Sequence, residues 1–282
     1  MPDITAPATQ TTEDTPASGD GWRPDLAALR ARLDDIDDTI HDLLMDRARV
    51  VEGVARSGKA AAFRPGREAS ILRRLLARHT GGLPARTLVR MWREMLAGTT
   101  GMQTPVTIAV FDPTPDGAVA AITREHFGFL TPSVTHPTIA ATLDAVRGGA
   151  VTAAVLPFPP EVSTWRALAE AEPRLYVIAR LPFWADRPRG VPHADALVIA
   201  TTAPDASGDS VGDSGGADRS FLALTRPPER ARLADAGLTL HAAHGLIAEV
   251  EGMITHHDPR LTALGPTTIL GGYAIPVAGD NA

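Results

Sequence analysis

Three polar side chains interrupt the apolar stripes of predicted helices. In one helix, apolar residues recur every three or four positions as far as Leu43, and the next step of four places reaches Arg47. In another, the stripe that ends at Met95 continues into Thr99 and Gln103. A guanidinium on a buried stripe is costly unless an anion pairs with it. The pattern therefore predicts a pocket for a small anion, lined by Arg47, Thr99 and Gln103.

Further charged side chains lie in the sequence between these two helices. The segment KAAAFRPGRE brings together four of them, namely Lys59, Arg64, Arg67 and Glu68. Arg30 adds another cation 17 residues before Arg47, which places the two arginines on different faces of one helix. Both arginines can therefore reach one pocket only if Arg30 acts across a dimer.

Three helices must position these side chains. The first is predicted to begin near Asp25 and to run for about 30 residues, because neither Pro nor Gly interrupts it before Gly53. Its length of roughly 45 Å exceeds that of a compact bundle of this size, so we expect it to pack against a second copy. A second helix is predicted over REASILRRLLARH and a third over ARTLVRMWREMLAGTTGMQ, which follows Pro84 and ends near Gln103.

From Val106 onward the hydrophobic period changes. TIAVF, AAVLPF, LYVIARL, DALVIAT and SFLALT are typical of short buried strands, and helical patterns lie between several of them. This alternation predicts an α/β domain with a largely parallel sheet. The low-complexity stretch 203–218 is predicted to be a flexible insertion. The tail after Pro228 is long enough for a small α+β unit.

The composition narrows the class of protein. The net charge of −6 argues against a nucleic-acid binder, and the sequence has no run of 18 apolar residues that would cross a membrane. The first 22 residues are polar, lack the features of a secretory signal and are predicted to be disordered. Cysteine is absent, which excludes disulfides and thiolate metal sites. We expect a cytoplasmic protein.

Residues 23–104 resemble the all-helical class of chorismate mutases. The resemblance rests on LAALRARLDDIDDTIHDLLMDRARVVEGVA, FRPGREASILRRL and LVRMWREMLAGTTGMQ. It implies a three-helix domain that forms an intertwined homodimer, in which each pocket borrows an arginine from the neighbouring subunit. By resemblance, Arg30 is that borrowed arginine and Arg47 binds a substrate carboxylate.

The resemblance also assigns the other polar residues of this segment. Arg67 would lie near the substrate, Glu68 would bind its ring hydroxyl, and Thr99 takes the place of a small hydroxyl residue. Gln103 would contact the ether oxygen. The lysine of the family corresponds to Lys59, one position later than usual, with Arg56 as the alternative. Arg64 replaces an aspartate of the family pattern.

These residue types suit the reaction that the resemblance implies. Chorismate becomes prephenate by an intramolecular Claisen rearrangement, which needs no cofactor, metal or nucleophile. Cations can hold the dianion in its compact conformation, and donors aimed at the ether oxygen can stabilise the charge that grows there. Arginine binds carboxylates better than lysine does because its planar fork donates two hydrogen bonds.

The rest of the chain is similar to the later parts of bifunctional mutase–dehydratase proteins of phenylalanine synthesis. Residues 105–226 resemble a prephenate dehydratase with a periplasmic-binding-like α/β fold, and residues 227–282 resemble an ACT module. Several dehydratase motifs are replaced: the first loop is FDPTPDGA, the segment 158–160 is Phe-Pro-Pro, and the catalytic Thr-Arg-Phe motif aligns with Arg219, Ser220 and Phe221.

The sequence therefore predicts a chorismate mutase in which the C-terminal region no longer catalyses dehydration and has a regulatory or structural role. Chorismate and prephenate are the expected ligands, and an amino acid is a possible effector. One alternative is a bifunctional enzyme that also makes phenylpyruvate. Another is a non-catalytic sensor or scaffold, which the displaced Lys59 and the presence of Arg64 would favour.

Overall fold

The computed structural model describes residues 25–57, 63–208 and 218–278. The chain divides into two compact units, residues 1–50 and 51–282. The predicted tail over residues 1–22 and the candidate Lys59 lie outside the described residues.

A single helix, α1 (Leu26–Arg56), accounts for the described part of the first unit and extends a few residues past it. Its 31 residues confirm the long first helix that the uninterrupted apolar seam predicts. No residue of α1 is buried, and seam residues such as Leu33 and Leu43 are 59% and 62% exposed. The apolar stripe of this helix is therefore accessible in the single chain.

The second unit begins with two helices whose predicted positions are confirmed. They are α2 (Pro65–Ala77) and α3 (Ala85–Gln103), joined by a turn that contains Gly81 and Gly82. Their apolar faces meet at Leu72 and Val89, in a cluster that also contains Phe183 and Trp184. This shared cluster fixes the two helices against the α/β part of the same unit.

The α/β part alternates short strands and helices. In chain order its elements are β1 (Ile108–Val110), α4 (Ala118–Phe127), β2 (Ser133–Thr135), α5 (Ile139–Arg147), β3 (Ala153–Pro157), α6 (Val162–Ala169), β4 (Tyr176–Leu181), β5 (Ala196–Ala200), β6 (Asp218–Leu224), α7 (Arg230–Asp235), β7 (Leu240–His244), β8 (Ile247–Glu251), a 3-10 helix (Pro259–Leu264) and β9 (Thr267–Ala274). The predicted strands in TIAVF, AAVLPF, LYVIARL, DALVIAT and SFLALT are all present.

Within the described residues these strands form one nine-stranded sheet in the order β2-β1-β3-β5-β4-β9-β6-β8-β7. Only the pairs β1–β2, β1–β3 and β4–β9 are parallel, so the prediction of a largely parallel sheet is wrong. Parallel neighbours need a long crossover, usually a helix. The chain instead returns from β4 to β5 through the segment 182–195, and from β7 to β8 through a tight turn, so these pairs are antiparallel.

The same sheet runs across residue 226, where the sequence suggests a domain boundary. β6 lies before that position and is hydrogen-bonded to both β8 and β9, which follow it. Residues before and after position 226 therefore contribute to one sheet.

The predicted flexible insertion over residues 203–218 is held in place at its described end. The carboxylate of Asp205 accepts hydrogen bonds from α2, and the backbone N–H of Ser207 donates to the buried carboxylate of Asp218 at 3.0 Å. The prediction is therefore wrong for Asp205 and Ser207, because specific hydrogen bonds to α2 and to Asp218 fix them. Residues 209–217 lie outside the described residues.

Two apolar layers cover the sheet. One contains Trp165, Phe221 and Tyr273, and the other contains Ile108, Ile122 and Leu181. Among the helices that the structure describes, none is both long and apolar enough to cross a membrane.

Candidate active site

The two candidate arginines of α1 differ in their surroundings. Arg30 is exposed, whereas Arg47 is half-buried, and burial lowers the pKa of Arg47 below its usual value. Seventeen positions along a helix rotate a side chain so that the two arginines lie about 100° apart. The structure therefore confirms that they occupy different faces of one helix, as their spacing predicts.

Thr99 and Gln103 lie one turn apart on α3 and are both half-buried. The Thr99 hydroxyl donates to the carbonyl oxygens of Met95 and Leu96, at 3.0 and 3.1 Å. The side-chain amide of Gln103 donates to the carbonyl oxygen of Thr99 at 3.3 Å. These local bonds link the two candidate residues into one polar patch at the C-terminal end of α3.

Glu68, predicted to bind a ring hydroxyl, forms a buried ion pair with Arg93. The distance from Arg93 Nη1 to Glu68 Oε2 is 2.8 Å, and only 4% and 13% of the two side chains are exposed. Burial raises the pKa of Glu68, while Arg93 opposes that shift. Burial also lowers the pKa of Arg93, against the attraction of Glu68. In both residues burial favours the neutral form, whereas the attraction within the pair favours the charged form.

Arg93 is a further candidate residue, because it pairs with the candidate Glu68. It lies on the buried stripe of α3, four positions after Val89 and three before Leu96. This is the pattern that singles out Arg47, a guanidinium among buried apolar residues. The sequence of α3 therefore contains two adjacent stripes with polar interruptions, one at Arg93 and one at Thr99 and Gln103.

The remaining candidates lie at the start of α2 and the end of α1. Arg67 is exposed, and its backbone N–H donates to Asp205 Oδ2 at 3.0 Å. Arg64 Nε lies 3.3 Å from the same carboxylate oxygen. Arg56, the alternative to Lys59, is the last residue of α1 and is exposed. Arg67, Glu68, Thr99 and Gln103 thus belong to the α2–α3 pair, and the other described candidates belong to α1.

A second polar cluster is built around Glu249 of β8, whose side chain is 1% exposed. Its carboxylate accepts a hydrogen bond from the Tyr273 hydroxyl and lies 3.1 Å from Nε2 of His244. The guanidinium groups of Arg219 and Arg180 approach it at 3.6 and 3.9 Å. Burial alone would raise the pKa of Glu249, but the bonds to Tyr273 and His244 outweigh it and lower the pKa.

The residues that align with the dehydratase motif have structural contacts here. Arg219 belongs to the cluster around Glu249, and the Ser220 hydroxyl donates to the carbonyl oxygen of Gly252 at 2.8 Å. Phe221 is fully buried in the core. At the end of β3, the ring of Phe158 lies 4.3 Å beneath the guanidinium of Arg180. Each of these positions therefore has contacts within the described part of the fold.

The family model named "Chorismate mutase type II" matches residues 29–104. These residues form a chorismate mutase domain. The match covers all of the described candidate residues, from Arg30 on α1 to Gln103 at the end of α3. The resemblance that the sequence motifs indicate is thereby confirmed for this segment.

Curated relatives join such a domain to a dehydratase. Over 140 residues the chain is 31% identical to the "Bifunctional chorismate mutase/prephenate dehydratase" of Stutzerimonas stutzeri, a match that covers 47% of this chain and 38% of that protein. The protein of the same name from Pseudomonas aeruginosa gives the same identity and coverage. The Neisseria gonorrhoeae protein is 32% identical over 115 residues, 40% of this chain and 32% of that one. The chain thus spans less than half the length of the curated relatives it matches.

Solved structures resemble the chain more weakly. The prephenate dehydratase of Streptococcus mutans aligns with 61% of this chain and 100% of its own, at 17% identity and a TM-score of 0.39. The Arthrobacter aurescens prephenate dehydratase in complex with L-Phe aligns with 60% and 90%, at 15% identity and a TM-score of 0.42. A quorum quenching acylase, GqqA, aligns with 60% and 94%, at 17% identity and a TM-score of 0.40.

Proposed function

We propose that the protein converts chorismate to prephenate. The observation that carries the proposal is that the mutase domain keeps polar groups where its helices otherwise present apolar stripes. Arg47 provides a half-buried cation on α1, and Gln103 provides an amide at the end of α3. An anion and a polar ether are the ligands that such groups bind.

The proposed mechanism needs only binding and electrostatic stabilisation. Arg47 and a second arginine, Arg30, would hold the two carboxylates of chorismate and so favour the compact conformation in which the new bond forms. Lys59, or Arg56 in its place, and Gln103 would donate to the ether oxygen as its bond to carbon breaks. Arg67 and Thr99 would line the same pocket.

Glu68 would bind the ring hydroxyl of the substrate while remaining paired with Arg93. An ionised carboxylate has about four lone-pair sites, and the bond to Arg93 occupies one of them. The remaining sites can accept a hydrogen bond from a hydroxyl group. Arg93 would then be a positioning residue, since it fixes the carboxylate without touching the substrate.

The same proposal includes a homodimer built on α1. Apolar residues of this helix are exposed along its whole length, from Leu26 to Val54, and burying them against a second copy would stabilise both chains. In such a dimer Arg30 of one subunit would serve the pocket that holds Arg47 of the other.

The direct test is chorismate consumption by the full chain and by Arg47→Ala. Because Arg47 would form charge-assisted hydrogen bonds with a substrate carboxylate, we expect kcat/KM to fall roughly 100-fold. Arg49→Ala is a matched control, since Arg49 is an exposed residue of α1 that pairs with Asp46 at 2.6 Å. Equal turnover by the Arg47 and Arg49 variants would contradict the assignment. A wild-type chain without turnover would instead favour the sensor or scaffold.

The C-terminal region is proposed to be regulatory or structural rather than catalytic. Support comes from the contacts of Phe158, Arg219 and Ser220, which pack and bond within the fold at the positions of dehydratase motifs. Supplying prephenate and measuring phenylpyruvate tests this point, and steady production at neutral pH would favour the bifunctional alternative. The same assay with and without phenylalanine tests for an amino-acid effector.

A further inference from the structure

A cavity of about 140 Å³ lies where α3 and α4 meet the segment 182–191 that follows β4. Its apolar wall includes Val89, Ile122, Phe183, Trp184 and Val191. Cavities of about 150 Å³ lined by apolar side chains can hold benzene. This cavity therefore has space for one aromatic ring.

The polar side chains around this cavity carry an excess of positive charge. Four arginines line it together with two acidic residues, so the formal balance is positive: Arg86, Arg90, Arg93 and Arg187 face Glu125 and Asp186. An apolar wall beside a cationic rim favours a ligand that is itself apolar at one end and anionic at the other.

Arg187 gives the strongest indication of a ligand. Its side chain is only 10% exposed, and its Nη1 donates to the carboxylate of Glu125. Its Nε and Nη2 are buried and have no hydrogen-bond partner among the described residues. A buried donor without a partner is unfavourable, and more so when the group is charged. Two donors of a guanidinium that lines the cavity thus lack an acceptor.

His126 also lines this cavity. Both of its ring nitrogens are buried and have no partner in the part of the chain that the structure describes. Burial and the nearby Arg93 hold the pKa of His126 well below its usual value, so the ring is neutral near pH 7. His126 therefore adds no charge to the cavity near pH 7.

We propose that this cavity binds a small aromatic carboxylate, with its ring against Phe183 and Trp184 and its carboxylate on Arg187. A small inorganic anion would leave the apolar wall uncovered, and a neutral aromatic molecule would leave the Arg187 donors without an acceptor. Only a ligand that combines both groups satisfies both surfaces.

The cavity adjoins the ion pair of the mutase domain. Arg93 lies 4.8 Å above the ring of Phe183 and also pairs with Glu68. A ligand in the cavity would therefore lie beside the residue that positions Glu68. This proposal does not depend on mutase turnover, since binding can be measured on its own.

The test is calorimetric titration of the full chain with 3-phenylpropionate. We expect saturable binding that Arg187→Met weakens by about tenfold or more, because a charge-assisted hydrogen bond is lost. Val191→Trp places a larger side chain in the cavity wall without removing a charge, and it should weaken binding similarly. Arg147→Met is the matched control, since Arg147 is an exposed guanidinium of α5 paired with Asp144.

Further ligands distinguish the possible sources of the carboxylate. Phenylalanine binding more tightly than 3-phenylpropionate would identify an amino acid as the ligand class, and the reverse order would identify an acid without an ammonium group. Acetate and 3-phenylpropanol, which each carry one of the two groups, should bind much more weakly. Equal affinity of the wild type and both cavity variants, or tight binding of 3-phenylpropanol, would overturn the proposal.

Discussion

The pairing of Glu68 with Arg93 places a charge-dependent contact inside the mutase domain. Burial shifts the pKa of each partner toward its neutral form, and the attraction between them opposes both shifts. Replacing one member of a buried pair usually destabilises a protein by about 3–5 kcal/mol, because the other charge stays buried without compensation. Removing one partner should therefore lower the free energy of unfolding more than removing both partners.

At the residue scale, Arg93→Met should lower the free energy of unfolding by about 3 kcal/mol at pH 8. The loss should be smaller at pH 5. Without Arg93 the pKa of Glu68 in the folded state rises further above its ordinary value of 4.5, so protonation of the carboxyl stabilises the folded variant at low pH. This contribution is lost as the pH rises through the folded-state pKa. Urea unfolding at both pH values measures the difference.

Two further variants separate the ion pair from general effects of substitution. Arg90→Met removes an exposed arginine from the same helix and should change stability by less than about 0.5 kcal/mol. The double variant Arg93→Met with Glu68→Met should recover most of the loss, because no charge stays buried. A loss for Arg93→Met that is equal at pH 5 and pH 8 would contradict the charge argument.

The sequence could reveal some site residues because their signal is local. Arg47, Thr99 and Gln103 lie on helical stripes, so a period of three and four positions is enough to single them out. The cluster around Glu249 has no such signal. Arg180, Arg219, Glu249 and Tyr273 come from four separate strands, and only the pairing of the sheet brings them together.

At the scale of elements, the start of α2 depends on a residue far along the chain. Arg64 precedes the helix and offers no side-chain cap. Asp205 instead accepts hydrogen bonds from the backbone N–H groups of Gly66 and Arg67, at 2.9 and 3.0 Å. A carboxylate at this end also interacts favourably with the helix dipole. The segment after β5 thus caps the helix that carries Arg67 and Glu68.

Asp205→Ala should therefore lower the free energy of unfolding by about 1–2 kcal/mol, as the loss of a helix cap does. Asp205→Asn should cost less, because an amide oxygen can accept one of the two bonds. Asp144→Ala, in an exposed pair on α5, is the control. Urea unfolding measures all three, and equal effects of the Asp205→Ala and Asp144→Ala variants would show that the cap contributes little.

Helices were easier to predict than the sheet for a physical reason. Helical hydrogen bonds are local, so the apolar period and the positions of Pro84 and Gly53 suffice to place α1, α2 and α3 closely. Strand pairing depends instead on how the chain returns. Neither the return from β4 to β5 nor the insertion of β9 between β4 and β6 leaves a periodic pattern. The strands could thus be predicted, but their directions could not.

At the scale of the whole molecule, the length of α1 bears on how a complete site is formed. Its 31 residues span roughly 46 Å, and its apolar stripe is exposed throughout. Arg30 and Arg47 lie on different faces, so one helix cannot direct both into one pocket. Two copies related by a two-fold axis can do so, because Arg30 of each copy can then reach the pocket that holds Arg47 of the other copy.

Mixing two inactive variants tests this arrangement. Arg30→Ala and Arg47→Ala should each have little mutase activity when purified alone. When they are unfolded together and refolded, half of the dimers should contain one chain of each kind, and one of the two sites in such a dimer keeps both arginines. Chorismate consumption should therefore recover to about one quarter of the wild-type rate. Mixing Arg30→Ala with the double variant Arg30→Ala/Arg47→Ala should restore no activity, since neither chain then supplies Arg30 and no intact site can form. Mixed dimers detected by native mass spectrometry but without activity would show that each site is built within a single chain.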